Sequence, residues 1–278
     1  MPVRAALLQL CSGDDPAANL QVTQDMVTRA AAGGAGFVLT PEVTNCVSFD
    51  RAHQQAVLHH QVDDPTLAAL RAQACDLRIW LLIGSLALKT DDVDGRFANR
   101  SFLIAPDGAI HAWYDKIHMF DVQVSQTETY LESAGYRPGE RAVLAGTSFA
   151  RIGMTICYDI RFPGLYRQLA QAGAQILTVP SAFSPVTGAA HWETLLRARA
   201  IETGAFVLAP AQTGQHPVST GKPRQTYGHS LAIDPWGEVL ADGGTDPGVI
   251  FVDLDMGKVA QTRQRIPSLV SGPEIIGP

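Results

Sequence analysis

The sequence predicts an α/β fold built from two related halves, and three observations carry that expectation. Short apolar runs that read as strands alternate with helical stretches along the chain. Several of those runs, such as RAALLQL and IWLLIGSLAL, are continuously apolar rather than alternating, as strands covered on both faces are. The order of elements in the first half then returns in the second. Two sheets sandwiched between helix layers satisfy all three.

Taken in order, the first half opens with the strand RAALLQL. A helix follows from Asp15 to Ala32, ended by GGAG, and then the strand FVLTPE. A second helix is expected over about residues 64 to 76. The strand IWLLIGSLAL and the hairpin SFLIAPDGAIHAW complete the half, with Pro-Asp-Gly as the turn between alternating runs. From Arg151 the order repeats: strand RIGMTIC, a helix near 164 to 172, strand QILTVP, helix HWETLLRARAIET opened by His191, strand AFVLAPA and hairpin SLAIDPWGEVL. The repeat is also visible in letters. Ser101, Ile104, Pro106, Gly108 and Ile110 match Ser230, Ile233, Pro235, Gly237 and Val239 at constant offset, and FVLTP answers ILTVP. No Pro/Gly-rich linker separates the halves. The span from Asp121 to Gly146 reads as an irregular functional loop, within a single domain of residues 1–278.

Composition excludes several function classes. A chain of 278 residues that is 46% hydrophobic and 17% charged can bury a sizeable core. A net charge of −6, with Lys and Arg scattered, leaves no footprint for nucleic acid or an acidic membrane surface. The first apolar run is too short for a signal peptide and no run approaches a membrane span, so a cytoplasmic location is expected. Cys11, Cys46, Cys75 and Cys157 sit at unrelated spacings without a C-x-x-C pair, which suggests neither disulfides nor zinc. His59, His60 and His216 lack metal-ligand spacing. GGAGFV is no dinucleotide fingerprint, and neither AGTSFA nor GHSLA is a serine nucleophile elbow. No metal or cofactor is called for.

The chemically loaded residues sit at element ends. Glu42 follows the second strand, Lys116 follows the first hairpin in WYDKIHMFD, and Cys157 ends the first strand of the second half. Ligands collect at the carboxyl ends of strands in α/β folds, so these residues could meet. A thiol becomes a strong nucleophile as thiolate, which Glu42 could generate, and the oxyanion formed on attack needs donors such as Lys116 and the Tyr158 amide. Each also has a plain structural reading: a buried strand cysteine, a turn glutamate, a solvated lysine.

The segments TPE around Glu42, DKIHMFD around Lys116 and CYDIRFPGLYRQLAQAGAQILTVPSAF around Cys157 resemble the three signature segments of the nitrilase superfamily of carbon–nitrogen hydrolases. The resemblance spans nearly the whole chain and is nearest to the Nit branch, through PSAFSPVTGAAHWETLLRARAIET and YGHSLAIDPWGEVLA. It implies a four-layer αββα sandwich with two pseudo-symmetric halves, Glu42 as general base, Lys116 as oxyanion stabiliser, Cys157 as nucleophile, and Glu132 as a second glutamate positioning substrate and lysine. It also implies a cofactor-free amidase that passes through a cysteinyl thioester and works as a homodimer on a small carboxylate-bearing amide. Deaminated glutathione is the first substrate reading and 2-oxoglutaramate-type acids the second, while a non-catalytic interaction module on the same fold would have no need of all four residues. Arg161 has two readings, a partner of Asp159 or a fork facing a substrate carboxylate. Two stretches depart from the family pattern: DVQVSQTETYLES, which lacks the usual Pro-Gly, and TPEVTNCVSFD, where Cys46 reads as inert filler.

Overall fold

The computed structural model describes residues 2–124, 129–270 and 277. The first half contributes β1 (Val3–Gln9), α1 (Pro16–Ala32), β2 (Phe37–Leu39), α2 (Arg51–Val57), α3 (Pro65–Leu77), β3 (Trp80–Leu88), β4 (Ala98–Ile104) and β5 (Ile110–Asp115). The connection holds β6 (Asp121–Gln123), β7 (Thr129–Leu131) and β8 (Val143–Gly146). The second half contributes β9 (Arg151–Met154), α4 (Pro163–Gln171), β10 (Ile176–Thr178), α5 (Pro185–Thr203), β11 (Phe206–Ala209), β12 (Thr213–Gln215), β13 (Gln225–Tyr227), β14 (Leu231–Ile233) and β15 (Val239–Asp242). After these come β16 (Gly248–Leu254) and α6 (Gly257–Arg265).

Local signals account for the helices. Asp15 accepts from the Ala17 and Ala18 amides before Pro16, and Asp64 accepts from Leu67 before Pro65, so each helix starts with a side-chain cap and a proline in its first turn. The same proline rule explains a difference from expectation. Helix α5 opens at Pro185 rather than at His191, which therefore lies inside the helix. It ends at Gly204 in a left-handed cap.

The strands form two six-stranded sheets, ordered β16-β1-β2-β3-β4-β5 and β15-β14-β11-β10-β9-β8. Each has three parallel strands at its centre, a hairpin on one side and an antiparallel strand on the other. The strand pleat sorts the layers. Ala6 and Leu8 of β1 face Met26, Val27 and Ala30 of α1 and Leu70 of α3, whereas Ala5 and Leu7 join the core shared with Ile152 and Met154 of β9. Helices α4 and α5 cover the second sheet through Leu169, Leu196 and Ala200. The result is the αββα sandwich, with no helix among the described residues long and apolar enough to cross a membrane.

The letter repeat is a structural repeat. Ile104 pairs with Ile110 across one hairpin and Ile233 with Val239 across the other, and both ladders carry their register shift at the same place, Leu103/Ile104 and Ala232/Ile233. Gly108 and Gly237 take φ of 79° and 92° in the two turns, a conformation that glycine adopts without a Cβ penalty.

Other expectations are corrected. The strand RIGMTIC stops at Met154, and Cys157 opens a 3-10 turn instead of ending a strand. The span from Asp121 to Gly146 is not irregular throughout, since it holds the β6–β7 hairpin and the edge strand β8. Part of the stretch DVQVSQTETYLES, residues 125–128, lies outside the described residues.

Candidate active site

The carboxyl ends of the central strands of both sheets meet, and there the chain leaves regular structure. Glu42 stands three residues beyond β2 in the turn Thr40-Pro41-Glu42. That turn lies directly against β3 at Gly84, where a Cβ would come within 2.0 Å of the Thr40 carbonyl and 2.5 Å of Pro41's. Only glycine leaves the turn, and hence the carboxylate, where it is. The next residue, Val43, has φ of 47°, an outlier for a β-branched side chain, and is held there by the Ser85 hydroxyl accepting its N–H at 2.8 Å. Cys157 also has φ of 47°. Two non-glycine residues in the left-handed region at one site is stored strain of roughly 1–3 kcal/mol each.

The Cys157 turn is clamped by Asp159. The buried Asp159 carboxylate accepts the Ile156 N–H at 2.9 Å and the Tyr114 hydroxyl at 2.7 Å through one oxygen. The other accepts the His118 N–H at 3.0 Å, with His118 Nδ1 2.7 Å away. Tyr114 and His118 flank Lys116, so one carboxylate ties the lysine segment to the cysteine turn. Arg161 does not pair with Asp159. Its guanidinium meets His191 Nδ1 at 3.2 Å and lies over the Tyr158 and Phe183 rings.

Lys116, 2% exposed, donates to Glu42 Oε1 at 2.9 Å and to Glu132 Oε1 and Oε2 at 2.9 and 2.8 Å. Asn99 Nδ2 donates to the same Glu42 oxygen at 2.9 Å and to Glu132 at 3.4 Å. The other Glu42 oxygen accepts the Ala182 N–H at 2.9 Å, which is how the second half grips a first-half residue. Glu132 is fixed further by the Phe120 N–H at 2.7 Å. Burial alone would raise the Glu42 pKa, but the Lys116 and Arg224 charges and the hydrogen bonds from Lys116 and Cys157 leave it below its ordinary value. Lys116 is held well above its usual range: burial opposes its charge, and Glu132, Glu42 and Cys157 more than offset that. Burial first, and then the Glu42 charge, push the Cys157 thiol upward. At neutral pH the resting site therefore holds an ionised Glu42, a charged Lys116 and a protonated Cys157 thiol.

These groups line one cavity of about 470 Å³. Of the sequence-derived candidates, Glu42, Lys116, Glu132, Cys157 and Tyr158 all line it, and Arg161 does not. The cations it presents besides Lys116 are Arg51 and Arg224. Arg51 is engaged with the Gly95 and Gly135 carbonyls and lies over Phe97. Cys46 is in the wall, its thiol pushed up to about 12 by burial and by Asp14. Sequence reasoning missed Asn99, Arg224, Ser184 and the Ala182 amide. Asn99, a poor strand former inside an apolar strand, was the one flag available; Arg224 and Ser184 carry no local signal.

A buried thiol beside a carboxylate that can take its proton, with a lysine ammonium that can hold a developing oxyanion, supplies the groups that cysteine-dependent hydrolysis of an acyl compound requires. The chain belongs to the carbon–nitrogen hydrolase family, whose model matches residues 4–264. It is 38% identical over 270 residues to a deaminated glutathione amidase of Synechocystis sp., covering 96% of this chain and 97% of that protein. The NitFhit protein of C. elegans superposes with a TM-score of 0.87 at 35% identity over 96% of this chain; this chain spans 64% of that protein. Saccharomyces cerevisiae Nit3, a member of branch 10 of the nitrilase superfamily, gives a TM-score of 0.83 at 28% identity, over 96% of this chain and 94% of that one.

Proposed function

We propose that this carbon–nitrogen hydrolase is an amidase that splits deaminated glutathione into 2-oxoglutarate and cysteinylglycine. The observation that carries the reading is the Glu42–Lys116–Glu132 cluster, closed by 2.8–2.9 Å hydrogen bonds in the cavity that Cys157 lines. The likeness to a deaminated glutathione amidase over nearly the full chain supports the substrate.

The steps follow from the protonation states. Glu42 takes the Cys157 proton as the sulfur attacks the amide carbon, so no free thiolate accumulates. The carbonyl oxygen becomes an oxyanion held by Lys116 Nζ and the Tyr158 N–H, a first-turn amide with no intrahelical partner. Glu42 passes its proton to the amine nitrogen, the C–N bond breaks, and cysteinylglycine leaves a 2-oxoglutaryl thioester. Glu42 then removes a proton from water, the hydroxide adds to the thioester carbon, and Cys157 departs as thiol. Glu132 carries no proton in this scheme; it holds Lys116 through both of its oxygens.

A thiol nucleophile suits a reducing compartment, so we place the enzyme in the cytoplasm. We read residues 1–278 as one domain, because β16 from the end of the chain closes the first sheet. A homodimer is supported by exposed Ile266 and Val270 in the tail. The segment after Cys157 lends less, since Ile160, Leu165 and Tyr166 are spent in the subunit's own core. Tail residues 271–276 and 278 lie outside the described residues.

The test is a turnover panel. Deaminated glutathione should exceed 2-oxoglutaramate severalfold, and a simple aliphatic amide or nitrile by orders of magnitude, in kcat/KM. Preference for 2-oxoglutaramate would make this an ω-amidase, and a best rate on a simple nitrile would remove the Nit-branch reading altogether.

A further inference from the structure

Among the cations lining the cavity, Arg224 stands apart. Lys116 is paired with two carboxylates and Arg51 with two carbonyls. The Arg224 guanidinium makes one hydrogen bond among the described residues, from Nη2 to the Ala182 carbonyl at 2.6 Å, and no ion pair. Its ring contact is with Phe49, 5.7 Å away. A guanidinium with most of its donors uncommitted, in a cavity wall, is matched to a planar anion.

A second observation points to the same corner independently. Ser184 occupies the N-cap position of α5, where a serine hydroxyl ordinarily accepts an N–H from the first turn, yet it makes no capping bond. Pro185 brings no N–H, and the Val186 and Thr187 amides are left uncapped. The Ser184 hydroxyl is buried, 4% exposed as a residue, with no hydrogen-bond partner, and Ser184 and Thr187 line the cavity. A buried hydroxyl without a partner is destabilising, so its persistence beside a helix N-terminus implies a partner that arrives with the substrate. The backbone holds the two features together: Arg224 bonds to Ala182 and the Tyr227 N–H to Phe183, so both ends of the segment 224–227 are stitched to the run 182–184 leading into α5.

We infer that Arg224, Ser184 and the first turn of α5 form a carboxylate subsite that anchors the acyl half of the substrate by its end remote from Cys157. This rests on the amidase reading above and assigns its specificity. Ala182 ties the subsite to the reacting centre, its N–H donating to Glu42 Oε2 and its carbonyl accepting from Arg224, which suits an anchor on the short acyl half rather than on the longer leaving half. An anchor on the acyl half also persists through both steps, keeping the thioester oriented after the amine has gone.

The test is binding, separate from turnover, by calorimetry with 2-oxoglutarate, glutaramide and cysteinylglycine as probes. Wild type should bind 2-oxoglutarate far better than the neutral glutaramide. Arg224→Gln should weaken 2-oxoglutarate by at least about thirtyfold and Ser184→Ala by about five- to tenfold. Arg224→Lys, which keeps the positive charge near Glu42, should recover only part of the loss because the fork is gone. Ser184→Ala removes no capping bond, so it keeps the test alive should the arginine variants fold poorly. Unchanged 2-oxoglutarate affinity in Ser184→Ala and Arg224→Gln, or a loss seen with cysteinylglycine instead, overturns the subsite. A wild type that binds 2-oxoglutarate here but does not cleave deaminated glutathione overturns only the substrate reading.

Discussion

The two halves of the molecule place different residues at matching positions, and the contrast isolates the turn that carries the proposed nucleophile. Ala5, Phe37 and Trp80 form a rung across β1, β2 and β3, and Ile152, Ile176 and Phe206 form the corresponding rung across β9, β10 and β11. Five residues beyond Ala5 is Leu10; the same step beyond Ile152 is Cys157. Five beyond Phe37 is Glu42, and five beyond Ile176 is Ser181. Leu10 continues extended and is stitched to the second half, where the Thr213 N–H donates to its carbonyl at 2.8 Å. Cys157 instead turns into the left-handed region under the Asp159 clamp. The scaffold is common to both halves; the turn clamped by Asp159 belongs to the second alone, and the carboxylate brought to it belongs to the first alone.

Substituting the two counterparts is the sharpest way to break that comparison. Cys157→Ala should abolish turnover with little change in Tm, and rapid quenching of wild type should show an acyl adduct on Cys157 by mass spectrometry. Leu10→Ala, at a position 2% exposed, should cost roughly 2–5 kcal/mol of stability in denaturant titration while the remaining folded protein still turns over. Measurable activity in the cysteine variant would return Cys157 to the same packing role as Leu10.

Lys116→Met comes next. Loss of one oxyanion donor costs about 2.7–4 kcal/mol of transition-state stabilisation, so kcat should fall at least about a hundredfold. The same change strips Glu42 of its main opposing charge. Wild type should keep its activity well into the acid range, because the Glu42 pKa is lowered and the base stays ionised there; in Lys116→Met the acid limb of kcat/KM should move to higher pH. A limb that does not move would place the lysine outside the electrostatics of the base.

The seam on the Leu10 side has its own probe in His216, buried between the Ser12 carbonyl and the Thr226 hydroxyl, both at 2.7 Å. Burial, with Arg224 adding repulsion, lowers its pKa from 6.5 to about 4. Between those values the unfolded chain binds the proton and the fold does not, so stability is full above about 6.5 and declines as pH falls toward 4. The loss approaches about 3 kcal/mol, and His216→Asn should flatten that part of the curve in pH-dependent unfolding.

The smallest effect separates the two hairpin turns. Both glycines have positive φ, so alanine costs about 1–2 kcal/mol at each from the backbone alone. At Gly108 the new Cβ meets the Arg71 carbonyl at 2.9 Å, whereas at Gly237 it meets the Ile201 side chain, Cγ1 at 2.6 Å and the terminal Cδ1 at 2.7 Å. Backbone yields less readily than a side-chain tip, so Gly108→Ala should have the lower Tm of the two. Equal values would mean that α3 shifts as easily as Ile201.

What the sequence determined by itself was the local order and the chemistry on offer. Strand runs, proline-opened helices and Pro-Asp-Gly turns announce themselves within a few residues, because backbone propensity and pleat periodicity act at that range. Glu42, Lys116, Glu132 and Cys157 were legible through segments that resemble a family, and all four line the cavity. Tertiary structure decided the rest. The closing of the first sheet by β16, the left-handed φ at Cys157, the Asn99 bridge between two carboxylates, and the presence of Arg224 rather than Arg161 in the cavity all join segments far apart in the chain. A side chain's direction follows from how its element packs, and an arginine four residues past a cysteine points wherever the turn sends it. Here the 3-10 turn sends Arg161 toward His191, while a loop more than sixty residues later delivers the guanidinium that faces the cavity.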